Sequence, residues 1–194
     1  MNEYFILKFS DDIKYCVVAF NSVFINEYKG WRIDYALEMA HRYPDNGVTF
    51  RMSDENSGIV VPDYIKNHHF YSMISDRLKS IFETTSFAEI EFLPFHLLNH
   101  KGRTVSGNFF IANILTKVDC IDFENTVCRT SKSEPGMITG LKKLSIDIKK
   151  VPSTLKLFRL SQELNTIIVR DDLKETLINR QTTGIDFVGM GKEI

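Results

Sequence analysis

The sequence predicts an α+β protein, with a β-rich N-terminal part followed by mixed strand–helix–strand units. Aromatic and β-branched residues, which favour strands, are dense before residue 60. Farther along, two amphipathic helices each lie between apolar runs. With 194 residues, 43 % of them hydrophobic, the chain is long enough for a substantial core, and this composition excludes a disordered or collagen-like protein.

The N-terminal part begins with the apolar run Tyr4–Phe9, which predicts a β-strand, and continues with a second apolar run at residues 15–20. Polar and apolar side chains alternate over residues 32–39, which predicts a third strand, with a short helix as the alternative. The sequence YPDNG at residues 43–47 predicts a turn before a short strand at residues 48–52. A polar surface loop, SDENSG, follows.

Both predicted helices begin with residues that suit a helix N-terminus. Ser75 and Asp76 carry oxygens that can accept the unpaired amide protons of a first turn. Asp171 and Asp172 place negative charge at the positive end of the second helix. The apolar positions recur at helical spacing: Leu78, Ile81 and Phe82 in the first helix, and Leu173, Leu177 and Ile178 in the second.

Strands are predicted on both sides of these helices. The run Ile90–Leu98 predicts a strand broken by Pro94, which places it at a sheet edge or a bulge. Residues 108–115 predict a further apolar strand, and residues 166–169 and 185–188 flank the second helix.

The two strand–helix–strand segments are similar to each other. A shift of 95 residues aligns residues 73–92 with residues 168–187 without a gap, and five positions are identical. The identical pairs are Asp76 and Asp171, Leu78 and Leu173, Lys79 and Lys174, Ile90 and Ile185, and Phe92 and Phe187. Either the unit is repeated internally, or any capped amphipathic helix between strands would show this likeness.

Charge is distributed unevenly along a chain whose formal net charge is −1. Residues 1–97 contain nine basic and fourteen acidic residues, a net charge of −5, and residues 98–194 contain fifteen and eleven, a net charge of +4. Two surfaces of opposite sign follow if the halves are spatially distinct; scattered surface charges are the alternative. We place a domain boundary after residue 59, between a β-rich lobe at 1–59 and an α/β-type domain at 60–194, with one continuous domain over 1–194 as the alternative.

Cysteine content and the start of the chain predict a cytoplasmic protein. The chain has three cysteines: Cys16, Cys120 and Cys128. Because their number is odd and they form no CxxC motif, a disulfide framework and a zinc site are both disfavoured. Cys16 and Cys120 lie in apolar runs and are expected to be buried. The first residues do not resemble a secretory signal, and no apolar run approaches the roughly 18 residues of a membrane span.

No catalytic, cofactor-binding or metal-binding residues are predicted, because the nucleophile-elbow, P-loop and dinucleotide-binding motifs are absent. Adjacent residues point in different directions, so His68 and His69 are expected to be an exposed pair rather than a chelate. Three further histidines could meet a Ser or Cys only through the fold: His41, His96 and His100. Glu89 and Glu91 share one strand face, either as a general acid with a raised pKa or as a solvated pair.

A group of lysines in the second half could bind an anion or RNA: Lys142, Lys143, Lys149, Lys150 and Lys156. Aromatic residues are not interleaved with them, which disfavours nucleic acid as the partner. The C-terminal sequence GMGKEI contains two glycines but no following helix, and is expected to be a frayed end.

The order of elements after residue 60 resembles a family of bacterial immunity proteins from polymorphic toxin systems, first described as a domain of unknown function. The segments that carry the resemblance are, in order, S-x-x-L-K at 75–79, NILTKVDCID at 113–122, FRL at 158–160, IIVRDDLKE at 167–175 and TGIDF at 183–187. The resemblance covers residues 60–188, whereas residues 1–59 match only in being β-rich and in the YPDN turn.

The resemblance implies a protein that is not an enzyme and that neutralises a cognate toxin by direct stoichiometric binding. It supplies no catalytic residues and no cofactor. The alternatives are an uncharacterised hydrolase-like enzyme, whose catalytic residues are dispersed in the sequence, and a small-ligand or nucleic-acid binding domain that uses the lysines.

Three acidic residues are predicted to contact the toxin. Many toxin domains act on nucleic acids and must be basic, so a protein that neutralises one is expected to present acidic groups. The most acidic irregular stretch lies between residues 45 and 55, where Arg51 is the single basic residue. Because recognition concentrates in surface loops, we predict Asp45, Asp54 and Glu55 as partner-binding residues.

Overall fold

The computed structural model describes residues 3–194 and shows an α+β fold in which strand predominates, so the predicted fold class is confirmed. The helices in that range are α1 (Ser22–Glu27), α2 (Asp76–Thr85) and α3 (Asp171–Asn179). Short 3-10 helices span Gly30–Ile33, Ala40–Arg42 and Ile148–Lys150.

Strands of two to nine residues make up the rest of the regular structure. In the first half they are β1 (Tyr4–Phe9), β2 (Val48–Arg51), β3 (Tyr64–Ile65), β4 (Met73–Ser75) and β5 (Ile90–Leu98). In the second half they are β6 (Phe109–Ile114), β7 (Lys117–Val118), β8 (Val127–Thr130), β9 (Ile138–Lys143), β10 (Leu157–Leu160), β11 (Glu163–Arg170) and β12 (Ile185–Gly189).

Two five-stranded sheets carry the fold. The first sheet has the order β2-β5-β6-β4-β3 and the second has the order β12-β1-β11-β10-β7, while β8 and β9 form a separate pair. Strands from residues 1–59 contribute to both sheets, because β1 lies in the second and β2 in the first. This arrangement favours one continuous domain.

The two sheets share a central apolar cluster that also contains the buried faces of α2 and α3. The outer face of the first sheet is covered by apolar residues from the segment between β1 and β3, residues 10–63. The outer face of the second sheet is covered in the same way by the segment at residues 115–156. Hydrophobic burial therefore stacks two sheets between two covering segments.

The covering segments differ in charge. Residues 10–63 contain five basic and nine acidic side chains, a net charge of −4, and we call this segment the acidic layer. Residues 115–156 contain eight basic and five acidic side chains, a net charge of +3, and form the basic layer. The two covering segments therefore carry opposite net charge on opposite sides of the stacked sheets.

Each sheet contains the same strand–helix–strand unit. In the first sheet, β4 and β5 are joined by α2 and both pair antiparallel with β6 between them. In the second sheet, β11 and β12 are joined by α3 and both pair antiparallel with β1 between them. The central strand of each unit therefore comes from the other half of the chain.

The register of these units agrees residue by residue. The matching cross-strand pairs are Ile90 with Ile114 and Phe92 with Ala112 in the first sheet, and Ile185 with Phe9 and Phe187 with Leu7 in the second. The outer strands correspond at a shift of 95 residues. The central strands correspond at a shift of 105 residues, since Phe9 takes the place of Ile114 and Leu7 takes the place of Ala112. The structure therefore favours the internal repeat over a chance likeness.

A lysine lies over two phenylalanine rings in both units, at corresponding positions. The Nζ–centroid distances are 5.1 Å from Lys79 to Phe92, 5.3 Å from Lys79 to Phe110, 3.5 Å from Lys174 to Phe5 and 5.9 Å from Lys174 to Phe187. Cation–π attraction of this kind holds each lysine stem against its own sheet.

The prediction of a strand at residues 32–39 is wrong. The side chain of Asn21 caps α1, and Lys29 then adopts a left-handed backbone before the 3-10 helix Gly30–Ile33. A second positive φ at Ala36 turns the chain again. Residues 15–20 form isolated bridges rather than a strand in a sheet. The acidic layer is therefore mostly helix and loop.

Two details of the predicted sheets and helices also differ. β5 runs unbroken through Pro94, because β2 pairs only with the part of β5 after that residue and leaves the neighbouring edge open. In α3, Leu173 and Leu177 are buried as predicted, but Ile178 is 54 % exposed. Ser75 caps α2 as predicted, by accepting a hydrogen bond from the backbone N–H of Leu78.

Candidate partner-binding surface

The predicted acidic loop lies beside an acidic turn that the sequence prediction missed. The backbone N–H of Ser53 donates to the carbonyl of Val17, which ties the loop after β2 to residues 11–17. Asp11, Asp12 and Glu55 together line a cavity of about 200 Å³. The run SDD at residues 10–12 was the available sequence signal, but only the fold places it next to Glu55.

Ion pairs surround this cavity. Lys66 Nζ lies 2.5 Å from Asp11 Oδ1, and Lys14 Nζ lies 2.6 Å from Asp12 Oδ2. Each lysine lowers the pKa of its aspartate by hydrogen bonding to the carboxylate, so both carboxylates are ionised at neutral pH. Glu55 is exposed at the same rim. The cavity therefore presents three exposed acidic groups, two of them paired with lysine.

The structure does not bring the three predicted residues together. Asp54 is next to Glu55 but also lies 3.2 Å from the Arg51 guanidinium and 3.6 Å from His100 Nδ1. Asp45 is exposed in the turn at the other end of β2, and a four-residue strand separates the two ends by roughly 13 Å. Asp45 therefore belongs to a separate part of the acidic layer.

The adjacent histidines have different environments, so the prediction of an exposed pair holds for His68 and is wrong for His69. His68 is exposed, whereas His69 is 6 % exposed and its ring stacks on Phe20 at 4.6 Å and on Tyr71 at 4.9 Å. Burial lowers the pKa of His69 to about 4. The neutral ring accepts a 2.8 Å hydrogen bond from the backbone N–H of Asn21, so its Nε2 is unprotonated.

Glu91 supports the acidic layer and is not a solvated strand residue. Its carboxylate accepts hydrogen bonds from the backbone N–H groups of Met39 at 2.8 Å and Ala40 at 3.0 Å, and from the Asn113 amide at 2.9 Å. Glu89 precedes β5, and its backbone N–H donates to Thr116 Oγ1. The two glutamates therefore have separate structural partners.

Comparison with known protein families settles which family this fold belongs to. The model of an immunity protein family, Imm11, matches residues 14–192, which is nearly the whole chain. The chain belongs to the Imm11 immunity protein family. A search of curated proteins found no match. The resemblance read from residues 60–188 is thereby confirmed and extends through the acidic layer.

The thiols of this immunity protein are mostly buried, as predicted for Cys16 and Cys120. Burial raises the pKa of Cys16 to about 11 and that of Cys120 to about 12, so neither thiol ionises near neutral pH. Cys128 is half-buried on β8. The histidine rings of His96 and His100 contact the backbone carbonyls of Asn46 and Gly58 instead of a nucleophile.

The lysines of the basic layer do not form one patch. Lys149 and Lys150 line an open groove of about 600 Å³ together with Asp122, Glu124 and Asp147. Lys156 is paired with Asp172 at 2.8 Å, and Lys142 lies on β9 at 3.4 Å from Glu193. The groove is therefore mixed in charge.

The C-terminal segment of the immunity protein is held in place, so the prediction of a frayed end is wrong. The backbone N–H of Gly191 donates to Leu144, and that of Ile194 donates to Lys142. Within residues 3–194, no group of three or more His, Cys, Asp or Glu side chains is arranged to hold a metal ion. No helix in the same range is long and apolar enough to cross a membrane.

Proposed function

We propose that this immunity protein acts in the cytoplasm without catalysis and neutralises its cognate toxin by binding it directly, one to one. Its family membership supports a toxin as the partner. The observation that carries the mode of action is the acidic layer, in which Asp11, Asp12 and Glu55 meet at one cavity. An acidic surface of this kind suits a toxin that must itself be basic to hold nucleic acid.

Binding would inhibit the toxin by covering its active site. A standard protein–protein interface buries about 800 Å² on each partner, which is enough to close a substrate cleft. Acidic groups at the rim would attract a basic toxin and speed the encounter, since complementary charge acts mainly on the association rate. Glu55 lines the acidic cavity, Asp54 is the residue before it, and Asp45 adds an acidic group in the turn at the other end of β2.

The experiment measures binding between the purified immunity protein and the toxin domain encoded at the same locus. Calorimetry should give a stoichiometry near one. The double reversal Asp54→Lys and Glu55→Lys should slow association about tenfold at low salt, and the difference should shrink as salt screens the charges. Asp45→Lys is measured separately, because the structure places it apart. Glu175→Lys, an exposed reversal on α3, is the matched control and should have little effect.

Two results would contradict the proposal. Protection of cells with no complex formed would show that the protein acts without direct binding. Turnover of the toxin or its substrate by the immunity protein would show an enzyme. Unchanged association for both the loop reversal and Asp45→Lys would remove these three residues from the interface while leaving direct binding intact.

A further inference from the structure

Three large apolar side chains are exposed on two neighbouring segments, one in the acidic layer and one in the turn after β3. Phe70 is 70 % exposed, Phe20 is 57 % exposed and Val23 is 52 % exposed. Phe20 stacks on His69, the residue before Phe70, and Val23 lies in α1 just after Phe20. We call these three residues the aromatic patch.

The turn that presents Phe70 is rigid and strained. Phe70 has a backbone φ of +59°, a conformation that is costly for a bulky side chain. The buried amide of Asn67 holds this turn by donating to the carbonyls of Ile65 at 3.0 Å and Tyr71 at 2.7 Å. Its oxygen accepts from the backbone N–H groups of His69 at 3.1 Å and Tyr71 at 3.0 Å. The fold therefore bears strain to keep a phenylalanine in solvent.

Phe20 is supported from beneath. The His69 ring lies between Phe20 and Tyr71, and the Tyr71 hydroxyl donates to the carbonyl of Gly30 at 3.0 Å. His69 also accepts the hydrogen bond from Asn21, which immediately precedes α1. The exposed ring therefore rests on a stack that is hydrogen-bonded at both ends, which reduces the entropy that a partner would have to remove on binding.

The aromatic patch and the acidic cavity are parts of one surface. Residues 15–20 and 66–70 run side by side, since Val18 forms a parallel bridge with Asn67 and the backbone N–H of His68 donates to Val18. Lys66, which pairs with Asp11 at the cavity, is four residues from Phe70, so at most about 14 Å of chain separates them. A standard interface of about 800 Å² per partner spans both features.

We propose that Phe20, Val23 and Phe70 are the hot spot of the toxin-binding surface, inserted into an apolar pocket of the toxin whose rim is basic and faces Asp11, Asp12 and Glu55. This inference rests on the proposed function, because it assigns a site to the partner which that function requires. Aromatic anchors surrounded by a polar rim are the usual anatomy of such interfaces.

Charge favours the toxin over a second copy of this chain as the occupant. A twofold dimer through the aromatic patch would bring two acidic layers together, each with a net charge of −4. The patch also consists of only three side chains, whereas obligate homodimers bury larger and more apolar surfaces. A basic partner gains from the same acidic rim that would repel a second copy.

The test compares Phe70→Gly with the matched control Phe87→Gly. Phe87 is 68 % exposed and has a φ of +55°, so the residue type, exposure and backbone conformation are the same, but its ring lies near Lys156 in the other half of the chain. Glycine accepts a positive φ without strain, so both variants should melt at or above the wild-type temperature. Phe70→Gly should weaken toxin binding at least about 30-fold, the level that defines a hot spot, and Phe87→Gly less than threefold.

A second variant, outside the turn, shows whether weaker binding by Phe70→Gly comes only from a local rearrangement of that turn. Val23→Lys changes an exposed position of α1 and opposes a basic partner, so it should also weaken binding at least tenfold at unchanged melting temperature. If wild-type protein binds the toxin and both variants bind within threefold of it, the aromatic patch is not the hot spot, although direct binding stands. If the wild-type chain is a dimer that Phe70→Gly makes monomeric without loss of toxin binding, the patch is a self-association surface and the inference fails.

Discussion

Buried His69 and half-buried Asp34 have shifted pKa values that change the stability of the fold in opposite directions as the pH varies. Burial lowers the pKa of His69 from 6.5 to about 4, and burial raises the pKa of Asp34 from 3.8 to about 6 despite the nearby Arg159 guanidinium. Both shifts disfavour the charged form of the group, which is the usual result of burial. The sequence indicates neither, because which residues are covered depends on the packing of residues 15–71.

We predict that these two effects nearly cancel in the wild-type protein between pH 4 and 6. Folding releases a proton from His69 below pH 6.5, so that contribution to stability falls as the pH drops towards 4. Folding takes up a proton at Asp34, so that contribution falls as the pH rises from 3.8 to 6. Asp34→Asn should therefore leave a loss of about 1.4 kcal/mol per pH unit on acidification. Urea titrations at each pH measure this slope.

The reciprocal variant is the control. His69→Gln removes the histidine titration and retains an oxygen that can accept the hydrogen bond from Asn21, so stability should now fall as the pH rises from 4 to 6. Identical slopes for wild type and both variants would show that neither group is titrating in this window.

The helices α2 and α3 occupy equivalent positions in the central cluster. Leu78 and Phe82 in α2 correspond to Leu173 and Leu177 in α3, and all four are buried between the sheets. The shared spacing predicted this burial from the sequence alone. Ile178 lies on the predicted apolar stripe but is exposed. The face of α3 that packs in the central cluster is narrower than that stripe and contains Leu173 and Leu177.

Replacing a buried leucine of α3 should be costly. We expect Leu173→Ala or Leu177→Ala to lower the free energy of unfolding by about 2–5 kcal/mol, because each leaves a cavity in a packed cluster. Leu78→Ala in α2 should lower the free energy of unfolding by a similar amount if the two units are equivalent. Ile178→Ala is the control, with an expected change within about 0.5 kcal/mol by denaturant melt. A small loss at Leu173 together with a large one at Ile178 would reverse the assigned face.

The failed element predictions have a common physical cause. Alternating polarity at residues 32–39 is compatible with a strand, but Asn21 starts a helix upstream and two positive φ angles redirect the chain. Backbone turns of this kind at Lys29 and Ala36 have no glycine to mark them. Local pattern therefore could not distinguish a strand from a succession of short helical turns.

At the scale of the whole molecule, each half of the chain places its first strand in the sheet of the other half. β1 lies between β11 and β12, and β6 lies between β4 and β5. Neither sheet is therefore complete without both halves, and the central cluster joins them further. The molecule should unfold as one cooperative unit rather than as an N-terminal and a C-terminal lobe.

Hydrogen exchange tests whether β1 is an integral strand of the second sheet. We predict that the backbone amides of Tyr4–Phe9 exchange as slowly as those of β11, although chain ends normally fray, because β1 is paired on both sides. Mass spectrometry of peptides from both strands measures the rates. The amides of Asp54 to Ser57, in an exposed loop, should exchange orders of magnitude faster. Rapid exchange at β1 with protection elsewhere would mean that the first strand is not integral to the second sheet.

The α+β class, the helices α2 and α3 with their starts, the main strands and the immunity family could all be predicted from the sequence, because they depend on periodicity, capping and ordered motifs that are local to the chain. Other features become visible only in the folded protein: the placing of β1 and β6 in the sheet of the other half, the burial of His69, the position of Asp11 and Glu55 at one cavity, and the exposure of Phe20 and Phe70. Apart from the neighbouring strands β5 and β6, these features join residues that are between 34 and 184 positions apart in the sequence. Local propensity carries no information about such pairs, because they are chosen by how two sheets and their covering segments bury apolar surface together.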